Sequence, residues 1–336
     1  MCPFPAEPLR LIPEFEPQRA VLLSWPHPET DWAPILTETE RCYRQIAIEI
    51  LKRQDLIIVG PTAREACAQI PQELRSRCTA VTLPTNDTWI RDYGPLSLQG
   101  TRSGTRYAAD YTFNGWGMKF PASQDNQVVR RLQSYLQENG YAYLNRLEYV
   151  LEGGSVETDG TTLLSTATCL YEPNRNPGRT KEAIEQELHA LSGCRTVVLN
   201  PGQLPGDDTD GHIDTLARFI APGVVAYVAP TDPRSPSYEV LQRLESELRL
   251  YPFQLVPLPD TGAVYSPYNG QLLPTSYANF LFINGALLLP VYGVPTDARA
   301  TRILRNALPD REIVPINCAI LTEQHGSLHC ATMQLH

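Results

Sequence analysis

The segment Thr180–Pro201, TKEAIEQELHALSGCRTVVLNP, places an amphipathic, helix-like stretch directly before a short strand-like one. Apolar residues recur at helical spacing up to Ser192, and Arg195–Pro201 is then rich in β-branched residues and ends in proline. A helix that runs straight into a strand is typical of α/β proteins. The predicted fold depends on this junction.

The same helix-to-strand junction occurs four more times. The further junctions are Arg64–Arg75 into Cys78–Pro84, Asp125–Asn139 into Tyr141–Leu147, Ser237–Leu250 into Phe253–Pro259 and Thr296–Leu308 into Arg311–Asn317. The strands begin about 55 to 65 residues apart, a period that indicates a supersecondary unit repeated around an axis. We therefore predict five α/β units, although a generic α/β alternation could give a similar pattern. Because no linker rich in glycine, serine or charge divides the chain, we predict a single domain over residues 1–336.

The composition argues against several classes of protein. With 42% apolar and 19% charged residues, the chain is typical of a soluble globular protein. The net charge of -9 and the lack of a Lys/Arg cluster argue against a nucleic-acid partner and weakly favour a cationic ligand. No stretch approaches the roughly 20 apolar residues of a membrane span, and the first residues contain no apolar run of signal-peptide length. We therefore expect a cytoplasmic protein without a membrane partner.

No motif for a metal or a cofactor is evident. The eight cysteines are scattered, and no two have the two-residue spacing of a zinc or redox motif, so most are interpreted as small buried hydrophobes in a reducing compartment. The run Asp207–Asp214 could bind a divalent ion. A calcium loop begun at Asp208 or Asp210 would, however, have no acidic residue at its twelfth position. We predict an enzyme without metal or cofactor.

Polar residues next to glycine interrupt an apolar strand in four of the five predicted units. The segments are NDTWIRDYGP (Asn86–Pro95), LEGGSVETDG (Leu151–Gly160), GDDTDGHIDTLARF (Gly206–Phe219) and HGSLHCATMQ (His325–Gln334). If the units surround an axis, residues at similar depth in each unit meet at its centre. The residues expected to meet are Asp92, Glu152, His212, Asp214 and Cys330. We expect His212 and Asp214, two apart on one strand, to point to the same face.

These side chains suit the hydrolysis of a small guanidinium compound. Carboxylates match the planar N–H fork of a guanidinium with two parallel hydrogen bonds. The guanidinium carbon is a poor electrophile, so attack needs a thiolate, which Cys330 could supply, while His212 could act as general acid and base. Taken singly, Cys330 could be structural and Asp92 could cap a turn. The recurrence of polar interruptions in four units favours the catalytic interpretation, because unpaired buried carboxylates are costly.

Several motifs in fixed order extend over nearly the whole chain. Besides NDTWIRDYGP and LEGGSVETDG they are FEPQRAVLLSWPHPETDW (Phe15–Trp32), YTFNGWG (Tyr111–Gly117), RNPGRTKEAIEQ (Arg175–Gln186), DTDGHIDTLARFIAPG (Asp208–Gly223), SYANFLFINGALLLPVYG (Ser276–Gly293) and SLHCATMQ (Ser327–Gln334). Together they resemble the agmatine deiminases and the related bacterial peptidylarginine deiminase-like proteins. These families belong to the guanidino-group modifying (pentein) superfamily.

The resemblance implies a fold, a reaction and residue roles. The implied fold is a five-bladed α/β propeller, with pseudo-fivefold ββαβ-type units around a central active site. The implied reaction is hydrolysis of agmatine to N-carbamoylputrescine and ammonia through a covalent thiouronium intermediate. Cys330 would be the nucleophile, His212 the acid and base, and Asp92 and Asp214 the guanidinium clamps. Glu152 would orient the guanidinium and the histidine.

The resemblance also implies how the rest of the substrate is bound. Trp89, Trp116 and Asp208 match positions near the aliphatic chain and terminal amine of the substrate. A homo-oligomer is compatible with the resemblance, since related enzymes are often dimers or larger, but the oligomeric state stays open. Polyamine (putrescine) synthesis, nitrogen scavenging and acid tolerance all use this reaction, so the pathway stays open.

One loop departs from the family pattern and leaves the substrate open. Many agmatine deiminases have three glycines and an asparagine before an Ile-His-Cys triplet, whereas this chain has His325-Gly326-Ser327-Leu328 before His329-Cys330. The alternatives are deimination of arginine, methylated arginine or peptidyl arginine, transfer of the amidino group to an amine, and a propeller that only binds a cation. Asp208, Trp89 and Trp116 favour an amine-tailed substrate, because an α-carboxylate would need an Arg or Lys partner.

Overall fold

A computed structural model describes residues 5–336, and these form an α/β fold. The strands are β1 (Leu9–Leu11), β2 (Ala20–Ser24), β3 (Asp55–Gly60), β4 (Cys78–Thr82), β5 (Leu96–Gly100), β6 (Arg106–Thr112), β7 (Tyr141–Val150), β8 (Glu157–Thr158), β9 (Thr162–Thr166), β10 (Arg195–Leu199), β11 (Ala217–Ala221), β12 (Val224–Val228), β13 (Gln254–Leu258), β14 (Leu281–Ile283), β15 (Ala286–Val291), β16 (Glu312–Asn317) and β17 (Thr332–Leu335). The α-helices are α1 (Leu36–Leu51), α2 (Ala63–Ala68), α3 (Gly115–Met118), α4 (Val128–Arg131), α5 (Gln133–Glu138), α6 (Ala167–Leu170), α7 (Lys181–Ser192), α8 (Tyr238–Leu248) and α9 (Asp297–Ala307).

The strands of residues 5–336 form five mixed sheets, none of them closed. Their strand orders are β1-β5-β6-β7, β10-β9-β8, β11-β12-β13, β14-β15-β16 and β17-β2-β3-β4. Each sheet contains an antiparallel pair followed by a parallel strand, and helices lie between the two parallel strands in the chain. A parallel strand needs such a crossover, which explains the repeated helix-to-strand junction. All five predicted junctions are confirmed, namely α2–β4, α5–β7, α7–β10, α8–β13 and α9–β16.

The first repeat contains a junction that the sequence analysis did not identify. Helix α1 leads into β3, so the sheet β17-β2-β3-β4 has one parallel strand more than the three-stranded sheets. The buried face of α1 consists of residues at helical spacing, including Cys42, Tyr43, Ile46 and Ile50. The helix was overlooked because Glu and Arg residues break up its apolar pattern.

The last strand of the described chain pairs with its second strand in this sheet. Strand β17 pairs antiparallel with β2, with Leu335 opposite Ala20 and Thr332 opposite Leu23. The turn that carries Cys330 therefore lies next to the first repeat, although it is the last turn of the chain. Separately, none of the helices within residues 5–336 is long and apolar enough to cross a membrane.

Local sequence signals determine where helix α7 begins and ends. The Thr180 hydroxyl accepts a hydrogen bond from the Ala183 N–H at 3.2 Å and so begins the helix. Gly193 ends it in the left-handed conformation, with φ 67°. Ile184, Leu188 and Leu191 are buried on one face.

The predicted placement of the polar residues on strands is wrong. Asp92 and Cys330 lie in turns, Glu152 directly precedes the 3-10 helix Gly153–Ser155, and His212 precedes the 3-10 helix Ile213–Thr215, which contains Asp214. Each turn comes just before the first strand of an antiparallel pair. A strand alternates its side chains across the sheet, whereas a turn before the strand can direct neighbouring side chains into one site.

Candidate active site

Turns from separate sheets bring the predicted catalytic residues together. The Cys330 Sγ lies 3.9 Å from Asp214 Oδ2, His212 Nε2 lies 2.7 Å from Glu152 Oε2, and His212 Nδ1 lies 3.6 Å from Asp92 Oδ1. All five side chains are buried. The expectation that these distant residues meet around one site is therefore met, and His212 and Asp214 reach the same point despite the wrong strand assignment.

Gly154 lies where three of these side chains approach one another. A Cβ atom at this position would be 2.6 Å from His212 Nδ1 and 3.0 Å from a carboxylate oxygen of Asp92 and of Asp214. The backbone N–H of Gly154 also donates to Asp92 Oδ1 at 2.9 Å. Only a glycine lets the backbone come this close, so the glycine-rich segment after Glu152 is part of the site.

Asp92 is held by two donors. Besides Gly154, the Trp116 Nε1–H donates to Asp92 Oδ2 at 2.9 Å. Trp116 has the left-handed backbone conformation, with φ 55°, which is unusual for a bulky residue and typical of functional sites. Burial raises the pKa of Asp92 to about 6, against the lowering effect of His212.

A buried arginine orients the pair of Glu152 and His212. Arg175 Nε and Nη2 donate to the Glu152 carboxylate at 2.9 to 3.1 Å. Burial alone would raise the pKa of Glu152, but Arg175 and His212 lower it to about 2. Burial would likewise lower the pKa of His212, but Asp92, Cys169 and Glu152 raise it well above its ordinary value. The surrounding acidic groups therefore favour the protonated form of His212, with Nε2 on Glu152 and Nδ1 towards Asp92.

The groups around Cys330 disfavour its thiolate form. Asn279 contacts its Sγ through Nδ2 at 3.3 Å and through Oδ1 at 3.4 Å. Burial raises the pKa of the Cys330 thiol far above its ordinary value, and the negative charges of Asp214 and Asp92 add to the shift. A bound guanidinium would oppose both carboxylates and so favour the thiolate.

Two buried polar atoms of the site have no hydrogen-bond partner among residues 5–336: His212 Nδ1 and Asp214 Oδ1. Such atoms are rare in folded proteins and mark sites that bind ligands. A donor and an acceptor beside a thiol match the needs of a guanidinium group. Its N–H groups need an acceptor, and the nitrogen that leaves as ammonia needs a proton.

A pocket of about 130 Å³ reaches Cys330 and Asp92. Trp89, Trp116 and Asp208 line it, and their role in binding the substrate tail stays a prediction. It is also lined by Asp31, Asp87, Phe120, Thr209, Thr215, Gln324, His325 and Gly326. The lining includes four aspartates and no Lys or Arg, so it favours a cationic ligand.

The loop that departs from the family pattern forms part of this pocket. His325 Nδ1 contacts the carbonyl oxygen of Gly206 at 2.8 Å, and His325 Nε2 lies 3.7 Å from Asp208 Oδ2. His325 therefore lines the pocket. A Cβ atom on Gly326 would come within 2.5 Å of the Trp89 ring, so this glycine lets the loop pack against the tryptophan.

The Asp207–Asp214 run is occupied by local hydrogen bonds. Asp207 accepts from the Thr209 N–H and hydroxyl and from the Gly211 N–H, which shapes the turn before His212. Glu152, Cys169 and His212 are the group in residues 5–336 whose atoms lie close enough to share a metal ion. Arg175 already binds both oxygens of Glu152, and its charge opposes a cation there.

Sequence reasoning missed several residues of the site. Asn279 comes just before β14, in the one unit that received no candidate, and its motif SYANF was quoted only for the resemblance. Arg175 stands in the quoted segment RNPGR without an assigned role. His329 stands in the quoted segment SLHCATMQ without an assigned role, whereas Cys169 and Glu14 carry no sequence signal, since a buried cysteine or glutamate has many uses.

The chain is similar to known deiminases over nearly its whole length. The family model for Porphyromonas-type peptidyl-arginine deiminase matches residues 10–335. A Porphyromonas gingivalis structure named "Putative Arginine Deiminase" is 46% identical, with a TM-score of 0.91 over 97% of this chain and 98% of that one. A C. jejuni agmatine deiminase variant with substrate bound is 32% identical, with a TM-score of 0.92 over 99% and 97%. The agmatine deiminase of Enterococcus faecalis is 30% identical, with a TM-score of 0.85 over 97% and 95%.

More distant structures agree on the fold. DDAH from Pseudomonas aeruginosa is 12% identical and matches with a TM-score of 0.50 over 95% of this chain. The α/β fold is thus that of the pentein superfamily, and the buried cysteine, histidine and carboxylates define a guanidino-group modifying enzyme. The chain belongs to the Porphyromonas-type peptidyl-arginine deiminase family.

Proposed function

We propose that this enzyme hydrolyses agmatine to N-carbamoylputrescine and ammonia, with Cys330 as the nucleophile. The observation that carries the proposal is the acidic pocket that ends at Cys330 and Asp92, beside His212, Glu152 and Asp214. Asp92 and Asp214 bind the guanidinium. Asp214 Oδ1, which has no other hydrogen-bond partner, accepts one of its N–H groups. Asn279 holds the sulfur in place.

In the first half of the reaction the thiol of Cys330 loses its proton to solvent as the guanidinium binds, and the resulting thiolate attacks the guanidinium carbon. A C–S bond forms, and the bond between that carbon and one terminal nitrogen breaks as His212 passes its Nδ1 proton to the leaving group. Ammonia departs and a thiouronium stays on the sulfur. Glu152 and Arg175 hold the imidazole in place during this transfer.

In the second half, His212 deprotonates water, which attacks the thiouronium carbon. The C–S bond breaks, its electron pair returns to Cys330, and the product carries a ureido group. The sum is guanidinium plus water giving a ureido compound plus ammonium, so atoms and charge balance without a metal or a cofactor.

The pocket lining supports agmatine over arginine. The tail of agmatine ends in an ammonium group, which Asp208, Trp89 and Trp116 can bind through charge and cation–π contacts. An α-carboxylate would face the aspartates of the pocket without a basic partner in its lining. Arginine or peptidyl arginine is the second candidate, because the family model and the P. gingivalis relative carry those names.

Formation of the ureido product from agmatine, arginine, methylated arginines and an arginine-containing peptide distinguishes these substrates, and it also detects a methylated arginine that releases a methylamine instead of ammonia. We expect agmatine to give the highest kcat/KM. A preference for arginine would overturn the choice of substrate. Product analysis with glycine or lysine present tests for amidino transfer, which would replace ammonia plus ureido product by a new guanidino compound.

The Cys330→Ala variant tests the nucleophile. We expect ammonia release to fall at least about a thousandfold, because the covalent intermediate cannot form. Cys318→Ala is the matched control, since Cys318 is also buried but does not line the pocket. Activity retained in Cys330→Ala would rule out this mechanism.

Several predictions about the whole protein remain part of the proposal. Five separate mixed sheets of similar topology support a five-bladed propeller of ββαβ-type units in a single domain. The homo-oligomer, the cytoplasmic location and a role in polyamine metabolism stay predictions.

A further inference from the structure

The carboxylate of Asp214 is tied to a second buried histidine that the reaction described above does not use. Asp214 Oδ2 lies 2.7 Å from His329 Nδ1. The other ring nitrogen, His329 Nε2, lies 2.6 Å from Glu14 Oε2. Asp214, His329 and Glu14 are exposed by 0%, 1% and 8%, so water cannot take over either contact.

Glu14 is anchored on its far side by the backbone and by two arginines. Its Oε1 accepts the Phe282 N–H at 2.8 Å. Its Oε2 faces Arg218 Nη2 at 2.8 Å and Arg91 Nη2 at 3.5 Å. The charged groups around His329 are thus two carboxylates and two guanidinium groups, and Glu14 connects the histidine to a rigid part of the core.

The two short contacts of His329 require two protons. Burial, Arg218 and Arg91 lower the pKa of His329 below its ordinary value, and Glu14 and Asp214 offset only part of this effect. An unprotonated ring nitrogen and a carboxylate oxygen would repel each other at 2.6 to 2.7 Å. A proton on Nδ1 lets His329 donate to Asp214 Oδ2, and a proton shared between Nε2 and Glu14 Oε2 satisfies the other contact.

We propose that His329 is a positioning residue which, braced by Glu14, fixes the Asp214 carboxylate so that Oδ1 binds the guanidinium group. The proposal rests on the proposed function. It assigns a role to the residue directly before Cys330 and to a glutamate near the start of the chain, 315 residues away.

The need for such a brace follows from the surroundings of Asp214. With Oδ2 held by His329, the unpartnered Oδ1 is the oxygen left for a substrate N–H. Asp214 Oδ2 lies 3.9 Å from Cys330 Sγ, so without the hydrogen bond from His329 the negative charge of this oxygen would oppose the thiolate more strongly, and the carboxylate would be free to rotate away from the guanidinium. Misplacing a clamp by about 1 Å can cost about a hundredfold in rate.

Two substitutions of His329 separate the two contacts. In His329→Asn the side-chain amide can occupy the place of Nδ1 and still donate to Asp214. In His329→Gln it reaches the place of Nε2 and contacts Glu14 instead. We expect kcat/KM for agmatine to fall no more than about tenfold in His329→Asn and about a hundredfold or more in His329→Gln.

If His329 only filled space in the core, His329→Gln would keep a higher kcat/KM than His329→Asn, because glutamine is closer to histidine in size. If His329→Gln were as active as His329→Asn, or more active, the positioning role would be refuted.

Labelling of Cys330 tests the proposal independently of turnover. 2-Chloroacetamidine is a cation that needs the carboxylate clamp, whereas iodoacetamide is neutral and does not. We expect His329→Gln to slow labelling by chloroacetamidine about tenfold or more relative to labelling by iodoacetamide. If wild type labels selectively with chloroacetamidine but does not turn over agmatine, the proposed substrate fails while the role of His329 is still tested.

The second variant pair is Glu14→Gln and Glu157→Gln. Both remove a buried carboxylate beside Arg218, but only Glu14 contacts His329. We expect Glu14→Gln to lower the chloroacetamidine-to-iodoacetamide ratio several-fold and Glu157→Gln to leave it unchanged, at matched melting temperatures. Equal ratios in the two variants would overturn the proposal, even if the His329 variants do not fold.

Discussion

At the scale of single residues, Gly154 tests how close the catalytic side chains must stand. In Gly154→Ala the new methyl group would overlap His212 Nδ1 and press on Asp92 and Asp214. We expect kcat/KM to fall by about a hundredfold, measured as ammonia release, because these side chains must move apart.

The neighbouring glycine is the control for this substitution. A Cβ atom on Gly153 would lie 2.2 Å from the backbone oxygen of Arg91, so Gly153→Ala is expected to lower the melting temperature more than Gly154→Ala does. Full activity in Gly154→Ala would show that the side chains are not held at these distances.

The ionisation of Asp92 is expected to determine the acidic limb of the pH profile of kcat/KM. Its carboxylate must be ionised to bind a guanidinium, and its pKa is raised to about 6 by burial. Because a raised pKa means protonation at higher pH, kcat/KM is expected to fall as the pH drops through about 6.

Trp116→Phe removes a donor that stabilises the ionised form of Asp92, so the acidic limb should move to higher pH. Trp32→Phe is the control, since the Trp32 Nε1–H donates to Thr88 instead. An acidic limb that stays in place in Trp116→Phe would contradict the assignment to Asp92.

At the scale of structural elements, the loop between α6 and α7 supports the site through Arg175. Its guanidinium binds Glu152 through Nε and Nη2 and Asp210 through Nη1. Arg175→Lys keeps the charge but loses this fork, so Glu152 and His212 should lose their orientation. We expect kcat/KM to decrease by about 10- to 100-fold in steady-state assays.

Arg179→Lys is the matched control in the same loop. Arg179 donates to the Glu148 carbonyl and stacks on Tyr149, away from the pocket. Equal losses in Arg175→Lys and Arg179→Lys would indicate that the loop acts only through stability.

At the scale of the whole molecule, the last strand, β17, pairs with the second strand, β2. Leu335 in β17 is 1% exposed and lies opposite Ala20. We expect Leu335→Ala to lower the free energy of unfolding by about 2 to 5 kcal/mol in denaturant titration, because it leaves a cavity in the core.

Leu250→Ala is the control, since Leu250 is 78% exposed and should change this free energy by less than about 0.5 kcal/mol. If both variants unfolded at the same denaturant concentration, the closure by β17 would not contribute to stability.

The sequence by itself determined the helix-to-strand junctions and the identity of the polar side chains at the site. The five junctions could be predicted because an amphipathic helix and a β-branched strand are local patterns that a few residues specify. The acidic residues and the lone cysteine and histidine in glycine-rich segments pointed to guanidinium chemistry because such groups are costly to bury without a purpose.

Only the tertiary structure decided how those side chains are held. It placed Asp92, Glu152, His212 and Cys330 in turns, brought Asn279 to the sulfur, and joined Glu14 to His329 across 315 positions of the chain. The physical reason is that hydrogen bonds between distant residues depend on how separate sheets pack, and no local pattern of residues encodes that packing.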